Sequence, residues 1–194
     1  MAADHLRETA ISSRLIFDEG FLRLRKDLVR LPDGSQASRE VVEHPGAAAV
    51  VALTDDGRVV MVRQYRYAPD AVFLEIPAGK LEKGEAALHC AQRELVEETG
   101  WRATQWAWLA PVHPAIGFSN ERIDVFIARG LEEVGACPDA EEFVEVEIVA
   151  VAELIEAIRL GQITDPKTVL GVFAVERMQR GEWAWPQFEQ INSA

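Results

Sequence analysis

The stretch from Glu85 to Thr99 concentrates four carboxylates and one guanidinium on residues whose spacing predicts a single helix. Gly100 follows, and glycine suits the left-handed position that ends a helix. At about 100° per residue, with Glu94 as origin, Glu98 falls near +40° and Glu97 near −60°. Three carboxylates therefore share one face. Leu88, Ala91 and Leu95 form an apolar stripe beside them. Such a helix packs by its stripe and presents carboxylates along one edge. Glu94 and Glu98 are a like-charge i,i+4 pair, which mildly destabilises a helix, and a purely structural helix has no reason to keep it. Arg93 stands four residues before Glu97 and can pair with it. Oxygen ligands on a rigid element suit a hard divalent cation, Mg²⁺ or Mn²⁺. The four histidines, His5, His44, His89 and His113, have no chelating spacing.

Charge sharpens the point. The chain has 194 residues and a net charge of −12. Residues 131–156 contain nine acids and no base, and residues 85–98 carry −3, so these two segments hold the whole imbalance. This acidity argues against a nucleic-acid surface and against an anionic membrane surface. The longest apolar run, Ala47–Leu53, is far short of a membrane span and reads as a buried strand. The first residues lack the apolar core of a secretory signal. Cys90 and Cys137 are therefore expected as reduced thiols in a cytoplasmic protein, with Cys90 a small buried residue of the helix.

Elsewhere the pattern predicts a mixed α/β (α+β) fold. Residues 14–44 alternate around a Pro32-Asp33-Gly34-Ser35 turn and read as two strands. Ala47–Leu53 and Val59–Arg66 flank a turn at 54–58. Strands are expected at Phe73–Ile76, Trp106–Val112, Arg122–Ala128 and Phe143–Val151, with a loop at 79–84. Helices are expected at Ala152–Leu160 and from Pro166, capped by Asp165. Residues 1–45 form a strand-rich extension and residues 46–194 the main domain. Glu182–Pro186 reads as a packed or fraying end.

Gly79, Glu85 and Arg93-Glu94-Leu95-Val96-Glu97-Glu98-Thr99-Gly100-Trp101 stand at the spacing G-x5-E-x7-R-E-U-x-E-E-x-G-U, with U apolar. The chain thereby resembles the Nudix hydrolase family. The resemblance implies a Nudix-type α/β/α sandwich with a mixed sheet, which hydrolyses a nucleoside diphosphate linked to another moiety. It implies Glu94, Glu98 and the carbonyl of Ala78 as metal ligands, with Glu97 a further ligand or orienter. A polyanionic diphosphate resists attack by water, and a divalent ion removes that obstacle.

Three stretches are similar to the ADP-ribose pyrophosphatase group: Arg63–Arg66 with Phe73–Gly79, His113–Glu121, and Asp139–Glu145. The second departs at Ile116, where the group usually has proline. The likeness implies Glu141 as a fourth metal ligand and Glu142 or Asp139 as general base, Glu142 slightly preferred. It sets Arg63, Arg66 and Glu75 on the substrate side. It also implies a homodimer whose N-terminal strands reach the partner's nucleotide, with Arg39 or Phe21 as candidates. The reaction implied is hydrolysis of ADP-ribose to AMP and ribose 5-phosphate. The alternatives are another nucleoside diphosphate sugar and, in a different class, a non-catalytic nucleotide-binding regulator.

Overall fold

The computed structural model describes residues 4–135 and 143–191. The chain divides into two compact units, one made of the residues up to 46 with 113–122, the other of 47–112 with the rest.

The first unit is an antiparallel meander of β1 (Thr9–Glu19), β2 (Leu22–Arg30) and β3 (Gln36–Glu43). The expected turn at 32–35 is present. Asp33 Oδ1 accepts from the Ser35 backbone N–H at 2.9 Å and from its hydroxyl at 2.6 Å. Where two strands were expected there are three, because a second hairpin closes at Gly20-Phe21. Glu19 pairs with Leu22, and Gly20 adopts φ 64°, which a two-residue hairpin loop demands of its first position. The 113–122 segment docks on the end of β3: the Val42 N–H donates to the Phe118 carbonyl at 2.7 Å, and the His44 N–H to Asn120 Oδ1 at 2.8 Å.

The second unit is built on β4 (Ala47–Leu53), all seven residues of which are buried. A strand covered on both faces shows as an unbroken apolar run, which is how the sequence reads. β5 (Val59–Arg66) returns antiparallel, followed by β6 (Ala71–Glu75) and β7 (Ala78–Lys80). Next come α1 (Ala87–Thr99), β8 (Trp101–Val112), β9 (Ile123–Glu133) and β10 (Val144–Val149). α2 (Val151–Arg159), α3 (Pro166–Gln179) and β11 (Glu189–Gln190) complete the unit. The sheet order is β10-β5-β4-β9-β8-β11, with β6 on β5 and β7 on β4; β9 runs parallel to β4.

Alternation along β4 sorts the core into two layers. Ala48, Val50 and Ala52 pack with Cys90, Ala91 and Leu95 of α1. Ala49, Val51 and Leu53 pack with Leu154 of α2 and Val172 and Val175 of α3. This is the expected α/β/α sandwich with a mixed sheet. Full burial of a Val or Leu side chain stabilises by roughly 1.5–3 kcal/mol, so the first layer fixes the pose of α1 and the second that of α2 and α3. Asp165 caps α3 as its sequence predicts, accepting from the Thr168 N–H at 3.0 Å.

Several boundaries differ from expectation, β9 for instance running on to Glu133. α1 begins at Ala87 and not at Glu85, because the Glu85 carboxylate turns back to accept the Glu82 N–H at 2.9 Å. Gly79 and Lys80, expected in a loop, ladder with Ala78 onto 47–49 of β4. β8 starts at Trp101, directly after the helix cap, with Trp101–Ala103 paired to Leu131–Glu133.

Candidate active site

Gly100 ends α1 with φ 73°, its N–H bonding to the Val96 carbonyl. The wheel geometry then turns Glu94 and Glu98 inward. They are only 6% and 3% exposed, which is rare for carboxylates unless partnered. Their partners come from β7 and from Arg93. The Ala78 N–H donates to Glu98 Oε2 at 3.0 Å. Gly79 lies against the other carboxylate, where a Cβ would be 1.6 Å from Glu94 Oε1.

Arg93 is the hub of this cluster. Its Nη1 donates to Glu94 Oε1 at 2.8 Å and to Glu97 Oε2 at 2.9 Å. Its Nε and Nη2 hold both oxygens of Glu85 at 3.0 and 3.1 Å. The Arg93–Glu97 pair is the one helical spacing predicts. The grip on Glu85 was not anticipated, since Glu85 precedes the helix. The hydrogen bond from Arg93 holds the Glu85 carboxyl below its ordinary range, against burial, and Glu85 in turn raises the Arg93 pKa. One guanidinium thus offsets mutual repulsion among three carboxylates.

A second cluster forms where β5, β6 and α3 meet. Arg66 Nε and Nη2 hold both oxygens of Glu75 at 2.8 and 3.0 Å. Lys167 Nζ donates to Glu75 Oε2 at 2.5 Å and lies 2.9 Å from Asp165 Oδ2. Glu75 and Lys167 are 3% and 5% exposed. Burial pushes the Glu75 carboxyl up, but the Arg66 hydrogen bond and the Lys167 charge more than offset it, and the pKa is lowered. Thr168 ties the cluster to the chain, its hydroxyl donating to Asp165 and accepting the Ile76 N–H at 3.0 Å. The sequence reading missed Lys167. Its signal was a lysine in the first turn of a helix, where the positive end of the dipole disfavours it.

The remaining predicted residues are not gathered here. Arg63 lies three residues before Arg66 on one strand and so leaves by the opposite face; its Nε donates to Glu147 of β10 at 2.6 Å. Arg39 belongs to the first unit and pairs with both oxygens of Glu8. Phe21, in the same unit, sits edge-on to His44 with ring centroids 5.5 Å apart. Asp139, Glu141 and Glu142 lie outside the described residues. Among the described residues, no group of three or more His, Cys, Asp or Glu side chains is placed to hold a metal ion. Arg93 draws Glu94 and Glu97 to itself. The donors that remain together are carboxylate and backbone oxygens beside a glycine cradle, a set suited to a hard cation.

The NUDIX domain family profile matches residues 43–169, and that of the nucleoside diphosphate sugar hydrolase N-terminal domain matches residues 8–42. The chain belongs to the Nudix family, and its class is that of a Nudix pyrophosphohydrolase. Over 167 residues it is 42% identical to the methanol dehydrogenase activator of Bacillus methanolicus, covering 85% of this chain and 90% of that one. It is 38% identical over 179 residues to the ADP-ribose pyrophosphatase of Bacillus subtilis (strain 168), covering 91% and 95%. A crystal structure of an ADP compounds hydrolase superimposes with a TM-score of 0.79 at 18% identity, covering 91% and 96% of the two chains, which bears out the fold.

Proposed function

We propose that this chain hydrolyses the diphosphate bond of ADP-ribose to AMP and ribose 5-phosphate, with Mg²⁺ or Mn²⁺ as cofactor. The observation that carries the reading is the convergence of two buried carboxylates, Glu94 and Glu98, on the backbone of Ala78 and Gly79. The similarity to an ADP-ribose pyrophosphatase over nearly the whole chain supports the substrate.

Glu94, Glu98, the Ala78 carbonyl and Glu141 are the groups that would hold the metal. When bound, such an ion neutralises diphosphate oxygens and acidifies water. The chain's own residues supply the rest. Arg93 orients Glu94 and Glu97 through its paired N–H groups. Arg66, with Nε and Nη2 engaged by Glu75, keeps Nη1 for a diphosphate oxygen or a ribose hydroxyl. Arg39, from the partner subunit, is assigned to the same ligand, whereas Arg63, held by Glu147 on the opposite face of β5, is not. The oxygen of water adds to one phosphorus and its proton passes to Glu142 or Asp139. The bridging P–O bond breaks, and its electron pair leaves with the departing phosphate.

The same reading includes a homodimer working in the cytoplasm. Ile11, Leu15, Ile16 and Phe17 of β1 are all exposed, an apolar load that a partner would cover. Light scattering on the eluted protein tests it: a monomer mass rejects the dimer. No helix among the described residues is long and apolar enough to cross a membrane.

The experiment for the reaction is a screen of ADP-ribose, GDP-mannose, NADH, dinucleoside polyphosphates and nucleoside triphosphates with Mg²⁺, products identified by chromatography. The expected result is the highest kcat/KM for ADP-ribose, with equal AMP and ribose 5-phosphate. A preference for another nucleoside diphosphate sugar moves the substrate within the class. Retained nucleotide binding without hydrolysis favours the regulator, a reading to which the likeness to a methanol dehydrogenase activator lends support.

A further inference from the structure

The segment from Trp183 to Phe188 has no part in the site above. It leads into β11, where Glu189 and Gln190 pair with Trp106 and Gln105. Trp185 and Phe188 close on Arg129 of β9, whose guanidinium carbon is 3.6 Å from the Trp185 ring centroid and 4.5 Å from that of Phe188. Beside this stack lies a cavity of about 380 Å³ walled by Thr54, Asp55, Gln105, Arg129, Gln179 and Trp185. That volume suits a metabolite-sized ligand. The cavity is remote from the carboxylates. Gly79 pairs with Ala48 near the start of β4, whereas the cavity opens past Leu53, roughly 16 Å further at about 3.3 Å per residue.

Arg129 differs from the arginines described above. Arg63, Arg66 and Arg93 all engage carboxylates. The Arg129 side chain makes no hydrogen bond or ion pair with any described residue, and burial, with no carboxylate opposing it, lowers its pKa. The two rings stabilise its charge through their faces. They leave untouched the five N–H donors, which lie in the guanidinium plane. These in-plane donors reach solvent and stand open to an acceptor. Oxyanions, with two oxygens in one plane, match that fork. The other wall groups, Thr54, Gln105 and Gln179, are neutral hydrogen-bonding side chains, and Gln179 is anchored by donating to the Gly57 carbonyl at 2.7 Å. Asp55 on the same wall disfavours a second anionic group.

We infer that this cavity is a second binding site, for a small molecule with one phosphate or carboxylate group and a neutral hydroxyl-rich body. Arg129 grips the oxyanion in its plane while Trp185 and Phe188 hold the guanidinium flat. The inference does not rest on the proposed reaction.

The test is a titration of the full chain with ribose 5-phosphate and, separately, gluconate, followed by the indole N–H resonance of Trp185, assigned by its loss in Trp185→Phe. The expected result is a saturable shift with at least one of them, and the stronger binder shows whether phosphate or carboxylate is preferred. Arg129→Gln weakens binding by about tenfold or more, the scale of one charged hydrogen bond. Gln105→Glu, directly across the strand pair from Arg129, weakens it likewise by offering the guanidinium a carboxylate of the chain itself, so that variant decides should Arg129→Gln fail to fold. Glu98→Gln leaves the Trp185 shift unchanged. No saturable shift with either compound overturns the proposal, as does a shift that Gln105→Glu leaves untouched or Glu98→Gln removes.

Discussion

Gly79 and Glu94 occupy space that only one of them can fill with a side chain: a Cβ on Gly79 would stand 1.6 Å from Glu94 Oε1. Gly79→Ala therefore drives the Glu94 carboxylate off its position beside Arg93. A displacement of about 1 Å at a reacting centre costs roughly 10²-fold in rate. The expected outcome is a kcat lowered by about that factor, with the circular dichroism of the folded chain retained. Wild-type kcat in Gly79→Ala would mean that Glu94 has no fixed place in the reaction.

Glu98→Gln keeps an acceptor for the Ala78 N–H, now 3.0 Å away, and so preserves the local fold. It removes a negative charge from the buried edge of α1. A loss of ~10³ or more in kcat is expected, the scale of one preorganised electrostatic contact, with Tm little changed. Near-normal turnover would remove Glu98 from the ligand set.

Glu75 gives a pH-dependent signature. Its folded pKa is lowered, so its contribution to stability is complete above the ordinary glutamate range and is lost as pH falls through that range toward the lowered value. Lys167→Met withdraws one of the two cations responsible. Stability at pH 7 should fall by about 1–3 kcal/mol, and the gap from wild type should narrow as the pH is lowered. Urea unfolding at a series of pH values measures it. A gap that does not vary with pH rejects the Lys167–Glu75 pair as its source.

Cys90 is fully buried, and burial pushes its thiol up to about 12. Since the thiolate is the reactive form, iodoacetamide at pH 8 should leave Cys90 unmodified in the native chain and alkylate it in guanidinium, as read by peptide mapping. The linkage has the opposite sense to that of Glu75. Above the ordinary thiol range the unfolded chain loses this proton while the folded chain keeps it, so stability falls as the pH rises.

Much of this was legible without coordinates. β4 and β5 were read with their observed bounds, since one is apolar throughout and a turn separates them. The cap at Gly100 and the shared face of Glu94 and Glu98 followed from helical spacing, whereas their burial did not. β7 was not legible: Ala78-Gly79-Lys80 has no strand pattern of its own, and its pairing comes from β4 across the sheet. Lys167 escaped for the same kind of reason, its partner Glu75 being 92 residues away. Arg63 and Arg66 form one motif in sequence, yet strand alternation sends them to different carboxylates, Glu147 and Glu75.

The sequence by itself determined the family and the shared face of the α1 carboxylates, because side chains at i, i+3 and i+4 meet wherever the helix is placed. Only the tertiary structure decided what those carboxylates face: the Ala78 N–H, the bare Gly79 and the fork of Arg93, which reaches back to Glu85. It also decided that Lys167 and Arg66 share Glu75, and that Arg129 lies between two rings with its donors unmatched. Such contacts depend on which strands and helices are brought side by side, and that is set by packing both faces of β4, not by any local run of residues.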